Sequence, residues 1–365
     1  GAIFILNQNL PKYLAVAEWI KQNIYNHTFK AGEKLISENQ LCEKFSISRQ
    51  TARQAISVLE KEGLILKKQG SGTYVSQIFS EAKTISKNIG LVTTNLDDYI
   101  FPAIISGVEK VLSSNGYNTT LRLTRNRINN EREQLLSLLK SDIDGLIVEG
   151  TKSALPNPNL DIYRQFADRG IPVVFINNYY SSLNCNFVVV DDEKGGRLAT
   201  RYLIEQGHQK ITGIFKYDDI QGNLRYKGFL TEMYDQNLSV DESTIIWYST
   251  ENAEQQFSIE NLPTLLKKLD QSTAIVCYND QIAMKLMQLL SNSELSVPED
   301  LSLVSFGNSS LSQIGTISLT SVTHPGKELG RLASESILMM IENPDYEIKY
   351  VYEPELIVRQ SVKKL

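Results

Sequence analysis

The stretch that decides the fold is SENQLCEKFSISRQTARQAISVLEKEG, running from Ser37 to Gly63. Ser37-Glu38-Asn39-Gln40 has the form of a capping box, in which a serine oxygen and a glutamine three residues on satisfy each other's backbone amides. A short helix is expected to begin there, with Leu41 and Phe45 turned inward. Ser48 is a second N-cap candidate and opens the run Arg49 to Glu62, in which Ala52, Ala55, Ile56 and Leu59 recur at helical spacing. Gly63 stands where a C-terminal cap belongs. Two short helices joined by a tight turn predict a helix-turn-helix. Arg49 and Arg53 lie one turn apart on the face opposite the apolar stripe, with Gln50 and Thr51 beside them. Arginine forks match guanine or phosphate and a glutamine amide matches adenine, so this face suits a DNA major groove. Taken alone, such an arginine pair is more commonly a solvated basic face.

The flanks favour DNA. Upstream, Tyr13, Val16, Ile20 and Ile24, with Trp19 beside them, predict another helix. Downstream, Leu64 to Lys68 and Thr73 to Val75 flank Gln69-Gly70-Ser71-Gly72, a β-hairpin whose glycine-rich tip can approach a phosphate backbone or minor groove. The whole is a winged helix, with Lys12 and Ser37 as further phosphate contacts. Charge agrees: residues 10–77 hold eight lysines and two arginines against six glutamates, a balance of +4, so the remainder carries −9 of the net −5. A basic head on an acidic body is the asymmetry expected when only one end meets phosphates. This stretch resembles the gluconate-repressor (GntR) class in its Ser-Glu start to the second helix, its Ser-Arg-x-Thr-x-Arg recognition helix and its Gly-x-Gly wing. Ile36 stands where that class carries proline, a departure expected to loosen the start of the second helix.

Residues 78–88 are polar and read as a linker between this head, 10–77, and a body over 89–365. Strand-like and helix-like segments then alternate, the mark of a parallel α/β sheet. Strands are expected at 89–93, 119–123, 145–148, 173–176, 188–190, 211–215, 244–247, 274–277 and 301–306. Helices are expected at 102–114, 131–139, 194–206, 224–234 and 281–290. Two lobes accommodate so many strands more economically than one sheet.

Enzyme motifs are absent. No strand leads into Gly-x-Gly-x-x-Gly, Gly326-Lys327 lacks phosphate-loop spacing, and there is neither a Gly-x-Ser-x-Gly elbow nor a His-Glu-x-x-His helix. Cys42, Cys185 and Cys277 match no disulfide or metal spacing, which predicts a reducing compartment and no metal or other cofactor. No apolar run approaches a spanning helix, and the opening residues lack the pattern of a signal peptide, so a cytoplasmic protein without membrane contact is expected.

Open α/β sheets bind ligands beyond the carboxyl ends of their strands. The residues found there are Tyr99, Phe101, Glu149, Asn177, Lys216, Asp218, Asp219, Gln221, Asn279, Asp280 and Asn308, and Arg225 opens the helix after the Asp218-Asp219 loop. Aromatic faces with Asn, Asp, Glu and Arg suit a polyol. Ligand contact is expected at Arg225 and Asn279. For Asn177, Gln221 and Phe101 a ligand contact and a structural role stand level, and Asp280 is expected to cap its helix.

The body resembles the lactose/galactose-repressor (LacI/GalR) effector domain at Val189-Val190-Asp191 through Gly195-Gly196-Arg197, Gly207-His208-Gln209-Lys210-Ile211, Arg225-Tyr226-Lys227-Gly228-Phe229, Asn279-Asp280-Gln281-Ile282-Ala283 and Val297-Pro298-Glu299-Asp300-Leu301-Ser302. The resemblance implies a two-lobed, periplasmic-binding-protein-like fold with two parallel α/β sheets. One lobe would hold about 89–191 and 325–353, the other about 192–324 and 354–365. It also implies that Arg225 and Asn279 bond the effector and that His324 lies at a hinge, bonded to backbone or facing the effector. The family's Gly-Phe-Asp-Asp reads Ser305-Phe306-Gly307-Asn308 here, leaving open whether Asn308 replaces an aspartate that often contacts effector.

Joining these two classes is similar to the arabinose repressors of Gram-positive bacteria, with matching stretches at 148–154, 213–219 and 353–361. That similarity implies L-arabinose as effector. The expected protein is a homodimeric, sugar-responsive repressor that reads a palindromic operator and is released by its effector. A different effector on the same scaffold (another sugar, a sugar phosphate or a purine), a solute-binding protein and an enzyme are the alternatives, the enzyme the weakest.

Overall fold

The computed structural model describes residues 11–25, 28–30, 32–68, 71–76, 85–96 and 100–365. Gln69, Gly70 and Tyr99, and residues 78–84 of the expected linker, lie outside the described residues. The chain divides into two compact units, Gly1–Thr84 and Ile85–Leu365.

The first unit contains α1 (Lys12–Tyr25), α2 (Glu38–Phe45), α3 (Arg49–Lys61) and an antiparallel hairpin of β1 (Ile65–Lys68) and β2 (Gly72–Val75). Both predicted caps form. Ser37 accepts from the Gln40 amide while the Gln40 side chain takes the Ser37 amide at 2.7 Å, and Ser48 accepts from the Thr51 amide. With both halves of the box made, Ile36 leaves the start of α2 tightly bonded, contrary to the loosening expected from the missing proline. Helix α3 buries Ala52, Ala55, Ile56 and Leu59 in one cluster with Val16, Ile20 and Ile24 of α1 and Leu41 of α2. Trp19 closes this core edge-on against Phe45, ring centroids 5.0 Å apart.

The second unit holds two sheets. The first lobe comprises β3 (Asn88–Thr93), α4 (Phe101–Ser114), β4 (Asn118–Leu123), α5 (Ile128–Leu139), β5 (Gly145–Val148), α6 (Leu160–Asp168), β6 (Val173–Ile176) and β7 (Asn186–Val190). The second comprises α7 (Asp192–Glu205), β8 (Ile211–Lys216), α8 (Ile220–Asp235), β9 (Ile246–Tyr248), α9 (Ala253–Gln256), α10 (Leu262–Leu269), β10 (Ala274–Cys277), α11 (Asp280–Leu290), β11 (Ser302–Gly307) and β12 (Thr320–Thr323). The chain then returns to the first lobe for α12 (Gly326–Glu342) and β13 (Lys349–Tyr352), and ends on β14 (Leu356–Ile357) in the second. Strand orders are β13-β7-β6-β5-β3-β4 and β14-β12-β11-β10-β8-β9. Every pairing is parallel except β12 with β14.

Each sheet is buried on both faces, as a parallel sheet requires. In the first lobe Ile104 and Val108 of α4 join Leu329, Ala333 and Ile337 of α12 on one side, while Leu135, Leu138, Ile162 and Phe166 from α5 and α6 cover the other. In the second, Leu265 and Leu286 lie on one face and Leu203 and Phe229 on the other. Strand β9 starts at Ile246, not Thr244, because Asp241 caps a turn of 3-10 helix over Glu242–Thr244. The expected linker stops short of residue 88: the Ser86 and Lys87 amides donate to Asp144 at 3.1 and 2.8 Å, and Asn88 already opens β3. Among the described residues no helix is long and apolar enough to cross a membrane.

Candidate functional site

In the first unit Arg49 and Gln50 are exposed at the start of α3. Arg53 is exposed but tied, its Nε donating to Glu38 at 2.9 Å across the helix pair. Thr51 is half-buried and gives its amide to Ser48 Oγ. Lys12 lies exposed in the first turn of α1. Ser37 is exposed and engaged in capping: its amide and hydroxyl both go to Gln40. In the hairpin, Ser71 Oγ meets the Tyr74 hydroxyl at 2.7 Å. Gly72 has φ +117, and a Cβ there would stand 2.7 Å from Lys34 Cε, so its glycine is required by the turn itself.

In the second unit a cleft is lined by Thr94, Ile100, Glu149, Asn177, Val190, Asp192, Asp219, Gln221, Arg225, Tyr278, Asn279, Gly307 and His324. These come from the carboxyl ends of strands in both sheets and from the crossover after β12.

Arg225 is the central cation. Its Nε and Nη2 reach Asp192 at 2.8 and 2.7 Å, its Nη1 donates to the Tyr278 carbonyl at 2.6 Å, and its guanidinium stacks between the Tyr278 and Phe306 rings. Burial pushes the Asp192 carboxyl up against the pull of Arg225. On the other wall Glu149 accepts from the Thr94 amide and hydroxyl at 2.9 and 2.7 Å and from Asn177 Nδ2 at 3.1 Å. Burial nevertheless raises it to about 7, with the Asp219 charge adding to the shift.

His324 completes this chain. Because Asn177 gives its amide hydrogens to Glu149, its Oδ1 must accept, so His324 Nε2 carries the proton, 3.1 Å away. Nδ1 is then a lone-pair acceptor, and burial followed by the nearby Arg225 charge lowers the ring to about 3, which keeps it neutral. Both His324 Nδ1 and Gln221 Oε1 are buried and take no hydrogen bond from the described residues. Two orphaned acceptors on a cleft wall call for a ligand carrying donors.

Three expected ligand residues are not brought to the cleft. Phe101 is 1% exposed and belongs to the core of the first lobe, because it begins the buried stripe of α4. Lys216 is spent on Asp218 and Asp219, where its ammonium offsets two adjacent carboxylates. Asn308, in left-handed backbone, turns its Oδ1 to the Arg359 guanidinium, so it does not replace the missing aspartate, and Gly307 lines the wall instead. Asp280 is not the cap. Asn279 caps α11 by accepting from the Ile282 amide at 2.9 Å, while Asp280 accepts from Ser305, Ser309 and Ser321. Thr94, Asp192 and Tyr278 join the lining beyond the expected residues, and each follows a strand or a strand-to-helix turn, the same rule that marks Glu149.

A basic winged helix carried by the same chain as a two-lobed cleft with unsatisfied acceptors is the build of a one-chain transcriptional regulator, a DNA reader with a small-molecule sensor. Comparison with known proteins agrees at both ends: residues 12–75 match the bacterial regulatory proteins of the gntR family, and residues 200–362 match the periplasmic binding protein-like domain. The chain is 39% identical over 361 residues to the arabinose metabolism transcriptional repressor of Halalkalibacterium halodurans, covering 96% of each chain. It is 39% identical over 362 residues to that of Geobacillus stearothermophilus, covering 98% of this chain and 99% of that one. The chain belongs to the family of arabinose metabolism transcriptional repressors. Both relatives are transcriptional repressors. Among solved structures, a periplasmic binding protein/LacI transcriptional regulator from Alkaliphilus metalliredigens in complex with D-xylulofuranose is similar, with TM-score 0.66 and 26% identity over 76% of this chain and 99% of that one.

Proposed function

We propose that the chain is a cytoplasmic repressor that binds L-arabinose between its lobes, without turning it over, and thereby leaves its operator. The observation that carries the ligand reading is the pair of buried acceptors, His324 Nδ1 and Gln221 Oε1. Sugar hydroxyls supply the donors they lack, and Glu149, Asp219 and Asn279 accept or donate to others. Arg225, the cation of the lining, is already paired with Asp192, and Glu149 and Asp219 stand as acceptors nearby, which favours a neutral polyol over a sugar phosphate. Full-length likeness to arabinose metabolism repressors supports arabinose among the polyols.

On this reading residues 10–77 read DNA, 78–85 link, and 86–365 sense. The lobes are 89–191 with 325–353 and 192–324 with 354–365. Arg49 and Gln50 meet base edges, Arg53 and Thr51 support them, and Lys12 and the wing residues Gln69 to Gly72 meet the backbone. A homodimer presents two such heads to a palindrome.

The test is thermal unfolding against pentoses, hexoses, their phosphates and purines, followed by operator binding with and without the hit. A sugar at 100 times its Kd adds about 2.7 kcal/mol. L-arabinose is expected to raise the melting temperature and lower operator affinity. A shift with another compound alone discards arabinose, and a shift without change in operator affinity discards the repressor mechanism.

A further inference from the structure

Two stretches set apart in the sequence, 148–154 and 213–219, meet across the lobes. Lys152, buried and in left-handed backbone at φ 48, extends from the first lobe and donates to Asp218 at 2.7 Å and Glu251 at 2.6 Å in the second. Its neighbours follow. The Ile220 amide donates to Ser153 Oγ at 3.0 Å, and the Ala154 amide to the Asp218 carbonyl at 3.4 Å. Asn126, also left-handed, accepts the Lys152 amide at 2.8 Å and donates to Thr250 Oγ1 at 2.6 Å. Asp218 is fully buried and also takes Lys216 at 3.0 Å and the Thr250 amide at 3.0 Å.

The loop that carries Lys152 is anchored within its own lobe. The Thr151 amide donates to the Tyr180 hydroxyl at 2.7 Å, which in turn meets Glu131 at 2.9 Å. A Cβ at Gly150 would stand 2.6 Å from Asn178 Oδ1, so the loop seats only as glycine. None of Lys152, Asp218, Glu251 or Asn126 lines the cleft, yet Asp219 and Gln221, just beyond Asp218 in the chain, do.

We infer that Lys152, gripping Asp218 and Glu251, is a latch that favours closure of the lobes and so sets effector affinity without touching the effector. Removing the ammonium leaves buried Asp218 with one cation in place of two, a cost paid only when the lobes are shut. Apparent affinity scales with the fraction of molecules in the binding-competent form, so the loss appears in sugar binding. The inference rests on reading the cleft as the effector site.

The test uses the full chain and two readouts: calorimetric titration with L-arabinose, and amide hydrogen exchange without sugar. Lys152→Met is expected to weaken L-arabinose binding about tenfold and to speed exchange at Ile220 and Ala154, whose amides donate across the lobes. Lys152→Arg, which keeps the charge, is expected to restore most of both. Glu251→Gln, at the exposed rim, is expected to move both readouts in the same direction by about two- to threefold, and carries the test should Lys152→Met fail to fold. Wild-type sugar affinity in the variants, or unchanged exchange at these amides, overturns the latch. Failure of the wild-type protein to bind L-arabinose defeats the effector reading instead, and the exchange experiment still decides the latch.

Discussion

The face of α3 proposed to read DNA and the cleft proposed to hold the effector pose opposite problems. Arg49, Gln50 and Arg53 are close in sequence, exposed, and placed by one helix and its cap. The cleft residues run from Thr94 to His324, are largely buried, and are placed by two sheets and a crossover. The first is local, solvent-exposed chemistry, suited to a large polyanion, where loss of a contact is the main expected effect of substitution. The second is charge held out of water, where a substitution also strands whatever it leaves behind.

The strongest way to break this contrast is Arg225→Met. Asp192 would keep a buried carboxylate without its cation, a situation costing about 3–5 kcal/mol. The second unit is expected to melt well below wild type and to lose the sugar-induced shift, as read by calorimetry. Retained sugar binding would remove Arg225 from the centre of the site.

Next in size is pH. Glu149 is raised to about 7 from an ordinary value of 4.5, so the folded protein binds its proton more tightly than the unfolded chain. Its contribution to stability therefore grows as pH falls from about 7 towards 4.5 and is lost as pH rises through 7. His324, lowered from 6.5 to about 3, works the other way: stability from its neutral ring is lost as pH falls below 6.5. Glu149→Gln is expected to abolish the first slope and leave the second in denaturant titrations over this range. An unchanged profile would mean that Glu149 is ionised in the fold.

On the DNA side Arg49→Ala is expected to cost about 1–3 kcal/mol in operator affinity at fixed salt if it grips a base, with the melting shift from sugar unchanged. A fall in both would show that the sites are not separable. The smallest effect is Ser48→Ala, which removes the cap of α3 and should cost about 1 kcal/mol of head stability, visible as earlier unfolding of the winged helix. Equal stability would mean that tertiary packing alone holds the start of the helix.

The same contrast governs what could be read in advance. The capping box at Ser37, the cap at Ser48 and the buried set Ala52, Ala55, Ile56 and Leu59 were legible because i to i+4 geometry places them whatever surrounds them. Strands β5, β6 and β10 were legible because a fully buried parallel strand is a short apolar run. Helix α12 was not, since Gly330, Ser334 and Ser336 blunt its periodicity where it packs closely on α4, nor were the short strands β12 to β14, which carry little apolar signal.

In the cleft, adjacency to a strand end marked Glu149, Asn177, Asp219, Gln221, Arg225 and Asn279 as candidates. It marked Phe101, Lys216 and Asn308 equally well. Which polar group faces the ligand and which is spent on a neighbour depends on partners far away in the chain: Arg359 for Asn308, Asp192 for Arg225, Lys152 for Asp218. Local sequence determined the caps, the reading face, the alternation of strand and helix, and the inventory of polar groups at the strand ends. Only the tertiary structure decided which of those groups kept an unsatisfied atom, because hydrogen-bond satisfaction is settled by every donor and acceptor within reach, and reach is set by the fold.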